Sequence, residues 1–403
     1  MVSSVALGGR LRGLAFCFLW YASVLSGFFF LFCPALPLLI LHQAAYRKVT
    51  DILFAVWEMY PVALMELLFG TRVSLSGDPI LSAERSIVLM NHRTRLDWNF
   101  LWAAMYHASS PPSHRLKFVL KSAVRHFPGP GWVMQMSCFL YIHRSWERDK
   151  DSLGRILDYF RDLRHSCQIL IFPEGTDFSP ANKKRSDEYA AERHLEKYDQ
   201  VLHPKTTGFV FLAQRMRQNG QLDAVYDITV AYPRSLPQSE ADMARGIFPE
   251  EVYFRVKRHP ISTLPDSDIE LRHWLTELWR DKEEALRQFY AEYNSESSST
   301  KTLLHEFRHF GGHSSKACCL ARAGCTCAAP PSNALYLALF SWTALSVFTI
   351  VALFTSPAAR LWVTAHTLLF ISLSIFTDGL QNFEVTLFRA RRALLRNVWL
   401  KRK

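Results

Sequence analysis

The sequence lacks any stretch, outside the flanks of its apolar segments, in which basic residues alternate with aromatic ones. Such a stripe is the usual footprint of a nucleic-acid-binding surface, so a nucleic-acid partner does not explain the formal net charge of +11. Internal repeats are absent as well. With 49% hydrophobic residues, the chain can bury a sizeable core, which excludes disorder for most of its length.

The eight cysteines do not have the arrangement of a secreted disulfide framework. Cys17 and Cys33 lie in a long apolar segment, and Cys138 and Cys167 lie at short runs that resemble strands. A reduced domain that faces the cytosol fits this distribution best.

Charge is almost missing between Gly13 and His42, and this segment exceeds the roughly 20 apolar residues that a membrane helix needs. Arg10 and Arg12 precede it, as in a signal peptide, but the apolar part is far longer than the roughly 7–15 residues of such peptides. We therefore predict an N-terminal membrane helix. Whether this helix spans the bilayer or only dips into it stays open.

A second pair of apolar stretches, Ala334–Phe354 and Leu361–Phe376, is separated by a short turn around Pro357. This arrangement predicts a C-terminal transmembrane hairpin. Basic residues crowd the ends of the apolar segments: Arg10, Arg12, Arg47, Lys48, Arg389, Arg391, Arg392, Arg396, Lys401, Arg402 and Lys403. Such clusters suit anionic headgroups on the cytosolic side, so we expect the C-terminus and the central domain in the cytosol.

We predict four parts. Residues 1–71 form the N-terminal membrane helix and an interfacial or re-entrant helix, and residues 72–294 form an α/β catalytic domain. Residues 295–333 are a polar linker that contains cysteine and histidine, and residues 334–403 form the membrane hairpin and basic tail. The interfacial helix, Ile52–Gly70, is apolar but contains two glutamates and a proline, which disfavours a full span.

Short apolar runs alternate with helical patterns through the central part. The predicted strands are Ser86–Met90, Phe118–Leu120, Phe139–Ile142, Gln168–Phe172 and Asp227–Ala231. The predicted helices include Trp98–His107, Glu147–Leu163 and Asp268–Tyr293, whereas Lys257–Asp266, with two prolines, reads as a turn. Alternating buried strands and helices indicate a mixed, largely parallel sheet flanked by helices.

Polar motifs directly follow two of these strands. Asn91–Asp97 comes after Ser86–Met90, and Pro173–Asp177 comes after Gln168–Phe172. Functional groups on parallel sheets emerge at the C-terminal ends of strands, so we expect both motifs at one rim.

His92 and Asp97 would lie about 140° apart on a continuous helix and could not touch. A strand-to-helix turn would let Asp97 hold one imidazole nitrogen while the other takes a proton from an attacking hydroxyl. The alternative is a structural histidine at a strand end, with Asp97 as a helix cap.

The first motif, Asn91–Asp97, and the second, Phe172–Thr176, resemble in order and spacing the first and third signature blocks of the glycerolipid acyltransferase superfamily. The segment His203–Phe209 adds to this resemblance, which covers nearly the whole chain. The resemblance implies the glycerol-phosphate acyltransferase fold, a phospholipid bilayer as surroundings, and acyl transfer from acyl-CoA as co-substrate. It implies no cofactor, and no metal enters the reaction.

The resemblance also implies roles for individual residues. His92 would be the general base and Asp97 its partner. The implied substrate-binding residues are Lys121, Arg144, Glu174, Gly175, Thr176, Lys205 and Pro233.

Within that set, Arg144 matches a phosphate-binding arginine, and Glu174 to Thr176 match the acceptor site. Pro233 ends a block that shapes the acyl side, and the two lysines match basic positions near phosphate groups. Each outer residue has another interpretation, because Arg144 could cap the sheet edge, the lysines could be solvated and Pro233 could merely end a strand.

Several acceptors are compatible with these blocks. The resemblance implies monolysocardiolipin, lysophosphatidylinositol and lysophosphatidylglycerol, and location in the endoplasmic reticulum, including where it meets mitochondria. The alternatives are acylation of lysophosphatidic acid to phosphatidic acid, and a lipid-binding protein without catalytic activity.

A segment rich in cysteine and histidine follows the catalytic domain: His305, His309, His313, Cys318, Cys319, Cys325 and Cys327. Its spacing matches no standard zinc site. Palmitoylation of the thiols or an inert linker are the other interpretations.

Overall fold

The computed structural model describes residues 2–110, 115–295 and 332–400. The chain forms two compact units. Of the described residues, the first unit contains 2–17, 59–110, 168–295 and 332–336, and the second contains 18–58, 115–167 and 337–400. The predicted part boundaries at residues 71, 294 and 333 stay a prediction.

The described strands are β1 Arg72–Gly77, β2 Ile80–Leu81, β3 Ser86–Met90, β4 Ser109–Ser110, β5 Leu116–Lys121, β6 Leu140–Ile142, β7 Gln168–Ile171, β8 Ala224–Ala231 and β9 Glu251–Pro260. The described α-helices are α1 Val2–Gly27, α2 Leu36–Leu41, α3 Gln43–Ala63, α4 Asp97–Ala108, α5 Pro130–Met136, α6 Trp146–Asp162, α7 Pro180–Glu192, α8 Thr206–Gln218, α9 Glu240–Ala244, α10 Asp268–Ser295, α11 Asn333–Thr355, α12 Pro357–Phe376 and α13 Leu380–Leu400.

In the first unit, five strands pair in the order β1, β9, β8, β3, β7. All of these pairings are parallel except that of β8 with β9. Every residue of β3 is buried, because this strand lies between β7 and β8 in a largely parallel sheet that helices cover on both faces. Each buried aliphatic side chain contributes roughly 1.5–3 kcal/mol. The prediction of a mixed, largely parallel sheet flanked by helices is confirmed.

Of the five predicted strands, only β3 has the predicted bounds, and β5, β6, β7 and β8 differ at one or both ends. β8 begins at Ala224 and not at Asp227. The charged Asp227 can lie inside the buried strand because its carboxylate accepts a hydrogen bond from Lys282 Nζ at 2.6 Å. The turn predicted for Lys257–Asp266 is wrong in its first part, since β9 continues to Pro260, which pairs opposite Ala224. A proline is tolerated at a strand end, where no further ladder hydrogen bond is required of it.

In the second unit, β5 and β6 form a parallel pair, with Leu120 opposite Tyr141. The helix α3 contains charged residues that are buried within this unit. Arg47 Nε lies 2.7 Å from the carboxylate of Glu384, and Lys117 Nζ lies 2.6 Å from that of Asp51. These ion pairs give α3 a protein environment, and α3 is not among the helices that are apolar enough to span a membrane.

Among the described residues, three helical segments have the length and composition to cross a membrane: Gly8–Leu41, Asn333–Thr355 and Pro357–Phe376. This result matches the predicted N-terminal membrane helix and C-terminal hairpin. The first segment contains a π-helical turn, Phe28–Phe32, and a carbonyl of this turn, that of Phe29, accepts a hydrogen bond from Trp362 Nε1 at 2.8 Å. A tryptophan of the C-terminal hairpin therefore satisfies a backbone group that the irregular turn exposes.

The beginning of α1 packs closely on the rest of the first unit. A Cβ atom at Gly13 would lie 2.2 Å from the carbonyl oxygen of Met243, and one at Gly246 would lie 2.1 Å from that of Gly9. Only glycine fits at either position. Arg12 adds a hydrogen bond of 3.0 Å to the carbonyl of Leu68.

Candidate active site

The turn between β3 and α4 begins with Asn91, whose side chain continues the pairing of β3 with β8. Its Nδ2 donates to the carbonyl of Val230 at 3.1 Å, and its Oδ1 accepts from the Val230 N–H at 2.8 Å. Two bonds from one buried side chain fix the backbone immediately before His92. The turn therefore has a rigid start.

His92 and Asp97 meet across this turn, as predicted for a strand-to-helix connection. His92 Nδ1 lies 2.9 Å from Asp97 Oδ2, the same oxygen that accepts the Thr94 N–H at 3.0 Å. The other oxygen, Oδ1, accepts the Tyr232 hydroxyl at 2.6 Å. Phe172 stacks on the imidazole at a centroid distance of 4.1 Å. Asp97 is fully buried, whereas 17% of the His92 side chain is exposed, so a substrate can reach the ring.

The charges around His92 determine its protonation. Burial by itself would lower the pKa of His92. The hydrogen bond and charge of Asp97 outweigh that effect, with further contributions from the charges of Glu174 and Asp177. The net result is a pKa above the ordinary value for histidine, because the imidazolium form gains more from these carboxylates than it loses by desolvation.

Glu174 is buried directly behind His92. Its Oε1 accepts the His92 N–H at 3.1 Å and the Trp279 Nε1–H at 3.4 Å, and its Oε2 accepts the Leu202 N–H at 3.2 Å. Burial raises the pKa of Glu174 to about 7, although these donors favour the carboxylate. Both oxygens are occupied by protein donors, so Glu174 holds the backbone of the turn that contains His92.

Gly175 and Lys205 lie next to each other at the C-terminal end of β7. Gly175 has φ +72°, a conformation that favours glycine, and Lys205 Nζ lies 3.4 Å from the position that a Cβ atom would occupy there. The Lys205 N–H also donates to the carbonyl of Pro173 at 2.7 Å. The hydroxyl of Thr176 accepts from Asn182 Nδ2 at 2.9 Å. The structure thus brings an exposed ammonium group to the glycine that follows Glu174.

A second buried carboxylate, that of Glu283 on α10, supports the segment that leads to Lys205. It accepts the N–H groups of three consecutive residues, Asp199, Gln200 and Val201, at 2.7–3.0 Å. Charge-assisted bonds of this type are the stronger class of protein hydrogen bond. Glu283 and Glu174 together therefore order four N–H groups within residues 199–202.

Pro233 is half-buried and follows Tyr232 just beyond the end of β8. This placement agrees with a strand stop, and its role toward the acyl chain stays a prediction. Lys121 and Arg144 belong to the second unit, where Lys121 ends β5 and Arg144 follows β6 by two residues. Both are exposed at the C-terminal ends of neighbouring parallel strands.

The backbone at Arg144 has an unusual conformation, with φ +64°. The two neighbouring N–H groups are held by one buried carboxylate, since Asp149 Oδ1 accepts from His143 at 2.7 Å and Oδ2 from Ser145 at 3.1 Å. A residue other than glycine in this region costs about 1–3 kcal/mol, and such strain is concentrated at functional sites. Asp149 thus maintains a strained turn that presents Arg144.

Comparison with known proteins identifies the family. The family model described as "Acyltransferase" matches residues 72–233, and that described as "Acyltransferase C-terminus" matches residues 242–307. Lysocardiolipin acyltransferase 1 of Gallus gallus is 44% identical over 279 residues, which cover 69% of this chain and 73% of that protein. The chain belongs to the glycerolipid acyltransferase superfamily. The resemblance inferred from the sequence motifs is confirmed, and the protein is an acyltransferase.

Other similar proteins have related names. Lysophosphatidylinositol acyltransferase 10 of Caenorhabditis elegans is 39% identical to this acyltransferase, over 64% of this chain and 66% of that protein. A protein of Arabidopsis thaliana named probable 1-acyl-sn-glycerol-3-phosphate acyltransferase 5 is 34% identical, over 61% of this chain and 64% of that protein. The crystal structure of the 1-acyl-sn-glycerophosphate acyltransferase of Thermotoga maritima matches with a TM-score of 0.46 and 16% identity, covering 72% of this chain and all of that one.

No group of three or more histidine, cysteine, aspartate or glutamate side chains suited to a metal ion occurs within residues 2–110, 115–295 and 332–400 of the acyltransferase. The segment with His305, His309, His313, Cys318, Cys319, Cys325 and Cys327 lies outside the described residues. Its interpretation as a zinc site, a palmitoylation site or an inert linker stays open.

Motif analysis missed three residues of the acyltransferase site: Tyr232, Trp279 and Glu283. Tyr232 stands directly before Pro233, which the sequence motifs did include, so a signal for it existed. Trp279 and Glu283 lie on α10, which reads as an ordinary amphipathic helix. No local pattern distinguishes a glutamate that accepts three distant backbone N–H groups from a solvated one.

Proposed function

We propose that this acyltransferase moves a fatty acyl group from acyl-CoA to the free hydroxyl of a lysophospholipid, with His92 as the general base. One observation supports the proposal above all others. The buried carboxylate of Asp97 holds Nδ1 of a partly exposed imidazole, and Nε2 has no hydrogen-bond partner within the described part of the chain. This is the arrangement of a base and its orienting carboxylate, and no enzyme nucleophile is needed.

The proposed reaction is a single displacement at the thioester carbonyl. Asp97 keeps the Nδ1 proton in place, so the neutral tautomer of His92 presents Nε2 as the acceptor. As the acceptor hydroxyl attacks the carbonyl carbon, its proton passes to Nε2 and a new ester bond forms. The C–S bond then breaks, and the imidazolium returns the proton to the leaving thiolate, which departs as free CoA.

Three phosphate-bearing acceptors are proposed: monolysocardiolipin, lysophosphatidylinositol and lysophosphatidylglycerol. Relatives named lysocardiolipin acyltransferase and lysophosphatidylinositol acyltransferase support this class. Lys205, whose ammonium group lies over Gly175, is suited to the acceptor phosphate near the base. Arg144 and Lys121 are proposed as further phosphate contacts, since both are exposed cations at the ends of neighbouring strands.

A second candidate acceptor is lysophosphatidic acid, which would make phosphatidic acid the product. It is favoured by the similarity to the Arabidopsis thaliana protein named as a probable 1-acyl-sn-glycerol-3-phosphate acyltransferase. The chemistry at His92 would be the same, because both classes offer a glycerol hydroxyl near a phosphate. The acceptor panel below distinguishes the two.

We further propose the endoplasmic reticulum membrane, including its contacts with mitochondria, as the location, with the catalytic residues on the cytosolic side. Three helical segments suited to a bilayer and arginines near their ends support membrane association. Basic flanks of membrane segments favour the cytosolic side. Acyl-CoA in the cytosol would then reach His92 directly.

The experiment is acyl transfer by membranes that contain wild type, His92→Ala or His273→Ala. His273 is an exposed histidine on α10 and serves as the matched control. Labelled oleoyl-CoA and linoleoyl-CoA are offered with each of the four acceptors. We expect His92→Ala to lose at least about 10²-fold in rate, the contribution typical of a general base, while His273→Ala keeps the wild-type rate.

Full activity in folded, membrane-bound His92→Ala would contradict the proposed base. Wild-type membranes that transfer to none of the four acceptors would instead favour a lipid-binding protein without catalytic activity. A clear preference for lysophosphatidic acid would replace the first acceptor class by the second.

A further inference from the structure

Tyr232 donates the third hydrogen bond to the Asp97 carboxylate. Asp97 Oδ2 is occupied by His92 Nδ1 and the Thr94 N–H, and Oδ1 accepts only the Tyr232 hydroxyl, at 2.6 Å, among the residues that the structure describes. One oxygen of the carboxylate therefore faces the imidazole of His92, and the other faces the phenol of Tyr232. A change in the phenol group alters the negative charge of Asp97 that acts on the imidazole of His92.

The position of Tyr232 is fixed independently of Asp97. Its side chain is buried, its N–H donates to the Tyr290 hydroxyl at 3.0 Å, and its ring contacts that of Phe100 edge to face at 5.6 Å. Burial raises the pKa of Tyr232 well above its usual value, so the hydroxyl keeps its proton and is the donor to Asp97.

We propose that Tyr232 is a positioning residue for acyl transfer, because its hydroxyl fixes the orientation of Asp97 and limits the basicity of His92. This inference rests on the proposed role of His92 as the general base. Tyr232 touches neither the acceptor nor the acyl donor in this scheme and acts only through the carboxylate.

The direction of the effect follows from the charge on the carboxylate. A hydrogen bond donated by Tyr232 spreads the negative charge of Asp97 away from the imidazole. Without that bond, Asp97 attracts a proton on His92 more strongly, so the pKa of the base rises and less of it is neutral at a given pH. Loss of the bond also frees the carboxylate to rotate, which misaligns Nε2.

The test is the pH profile of kcat/KM for wild type and Tyr232→Phe, measured from pH 5.5 to 9.5 in membranes. Tyr232→Phe retains the ring and removes only the hydroxyl. We expect the acid limb to move to higher pH by about 0.5–1 unit. Only part of the free energy of the charge-assisted hydrogen bond to Asp97 changes the pKa of His92. The plateau should fall about 3- to 30-fold because of misalignment.

Tyr226→Phe provides a matched control on β8, the strand that leads to Tyr232. The hydroxyl of Tyr226 donates to Glu84 Oε2 at 2.5 Å, so this variant also loses a hydrogen bond between a buried tyrosine and a carboxylate. Glu84 has no contact with His92, and we expect the acid limb of Tyr226→Phe to coincide with that of wild type. A purely structural effect of losing a buried hydroxyl would appear in both variants.

A second substitution covers the case in which Tyr232→Phe folds poorly. Site-specific incorporation of difluorotyrosine at position 232 retains the hydroxyl but makes it a stronger donor, so the acid limb should move downward. An upward movement for the phenylalanine variant and a downward one for the fluorinated variant support the inference. Unchanged limbs in both, with His92→Ala inactive, would overturn the role of Tyr232 alone, whereas full activity of His92→Ala would overturn the proposed base itself.

Discussion

At the scale of single residues, the effect of nearby carboxylates on the pKa of His92 predicts how the activity of the enzyme depends on pH. Their charges raise the pKa of His92 above its ordinary value despite its burial. A general base must be neutral to accept a proton, so activity should decline on the acid side around a pKa above about 6.5.

Asp97→Asn tests this relation. The substitution removes the charge that raises the pKa of His92, so the acid limb of the profile should move to lower pH. The amide also fails to hold the reactive tautomer, and the plateau of kcat/KM should fall by about 10²–10⁴-fold. The measurement is kcat/KM against pH for both proteins. An acid limb that stays in place or moves to higher pH would contradict the assignment.

Sequence reasoning found His92 and Asp97 because both belong to one segment of seven residues, where spacing alone suggests a turn. It did not find the bond between Tyr232 and Asp97, whose residues are 135 positions apart. It also did not find that Glu174 accepts the N–H of His92 from 82 positions away. Motifs reveal which residue types are present, but the partner of a buried carboxylate is determined by tertiary packing.

At the scale of secondary-structure elements, the sequence located β3, β5, β6, β7 and β8, and the predicted bounds were right only for β3. The bounds of β3 agree with the prediction because all five residues are buried and four of them, after Ser86, are apolar. β1 and β9 were missed, since their polar residues and the proline at the end of β9 resemble a loop. Arg258 of β9, for example, is satisfied by Glu84, a contact that only the folded sheet provides.

The strained connection after β6 leads to a prediction in which stability and activity change in opposite directions. Arg144→Gly places glycine at φ +64° and should stabilise the protein by about 1 kcal/mol. The same substitution removes the proposed phosphate contact and should raise KM for the lysophospholipid roughly 10- to 100-fold, with a smaller effect on kcat. Thermal unfolding in detergent and initial rates measure the two effects.

Arg164→Gly is the control for Arg144→Gly. Arg164 is an exposed arginine with φ +53°, and it follows the end of α6 within the same unit. The control should gain similar stability with no change in KM. An unchanged KM in Arg144→Gly would remove Arg144 from the phosphate site, and equal rises in both variants would point to a general effect of backbone flexibility.

At the scale of the whole molecule, the topology of the N-terminal region follows from close contacts within the first unit. Gly13 lies against Met243, and Arg12 donates to the carbonyl of Leu68, which follows α3. The start of α1 and Leu68 therefore both belong to the first unit. A single crossing between Gly13 and Leu68 would put these residues on opposite sides of the membrane. The apolar segment must therefore dip and return, or cross an even number of times.

The N-terminus should consequently lie on the same side of the membrane as His92. We expect epitope tags at the N-terminus and between α7 and α8 to have equal protease sensitivity in sealed microsomes, with tags on a lumenal marker protected. Protection of the N-terminal tag alone would mean a single crossing, which is incompatible with the contact between Gly13 and Met243.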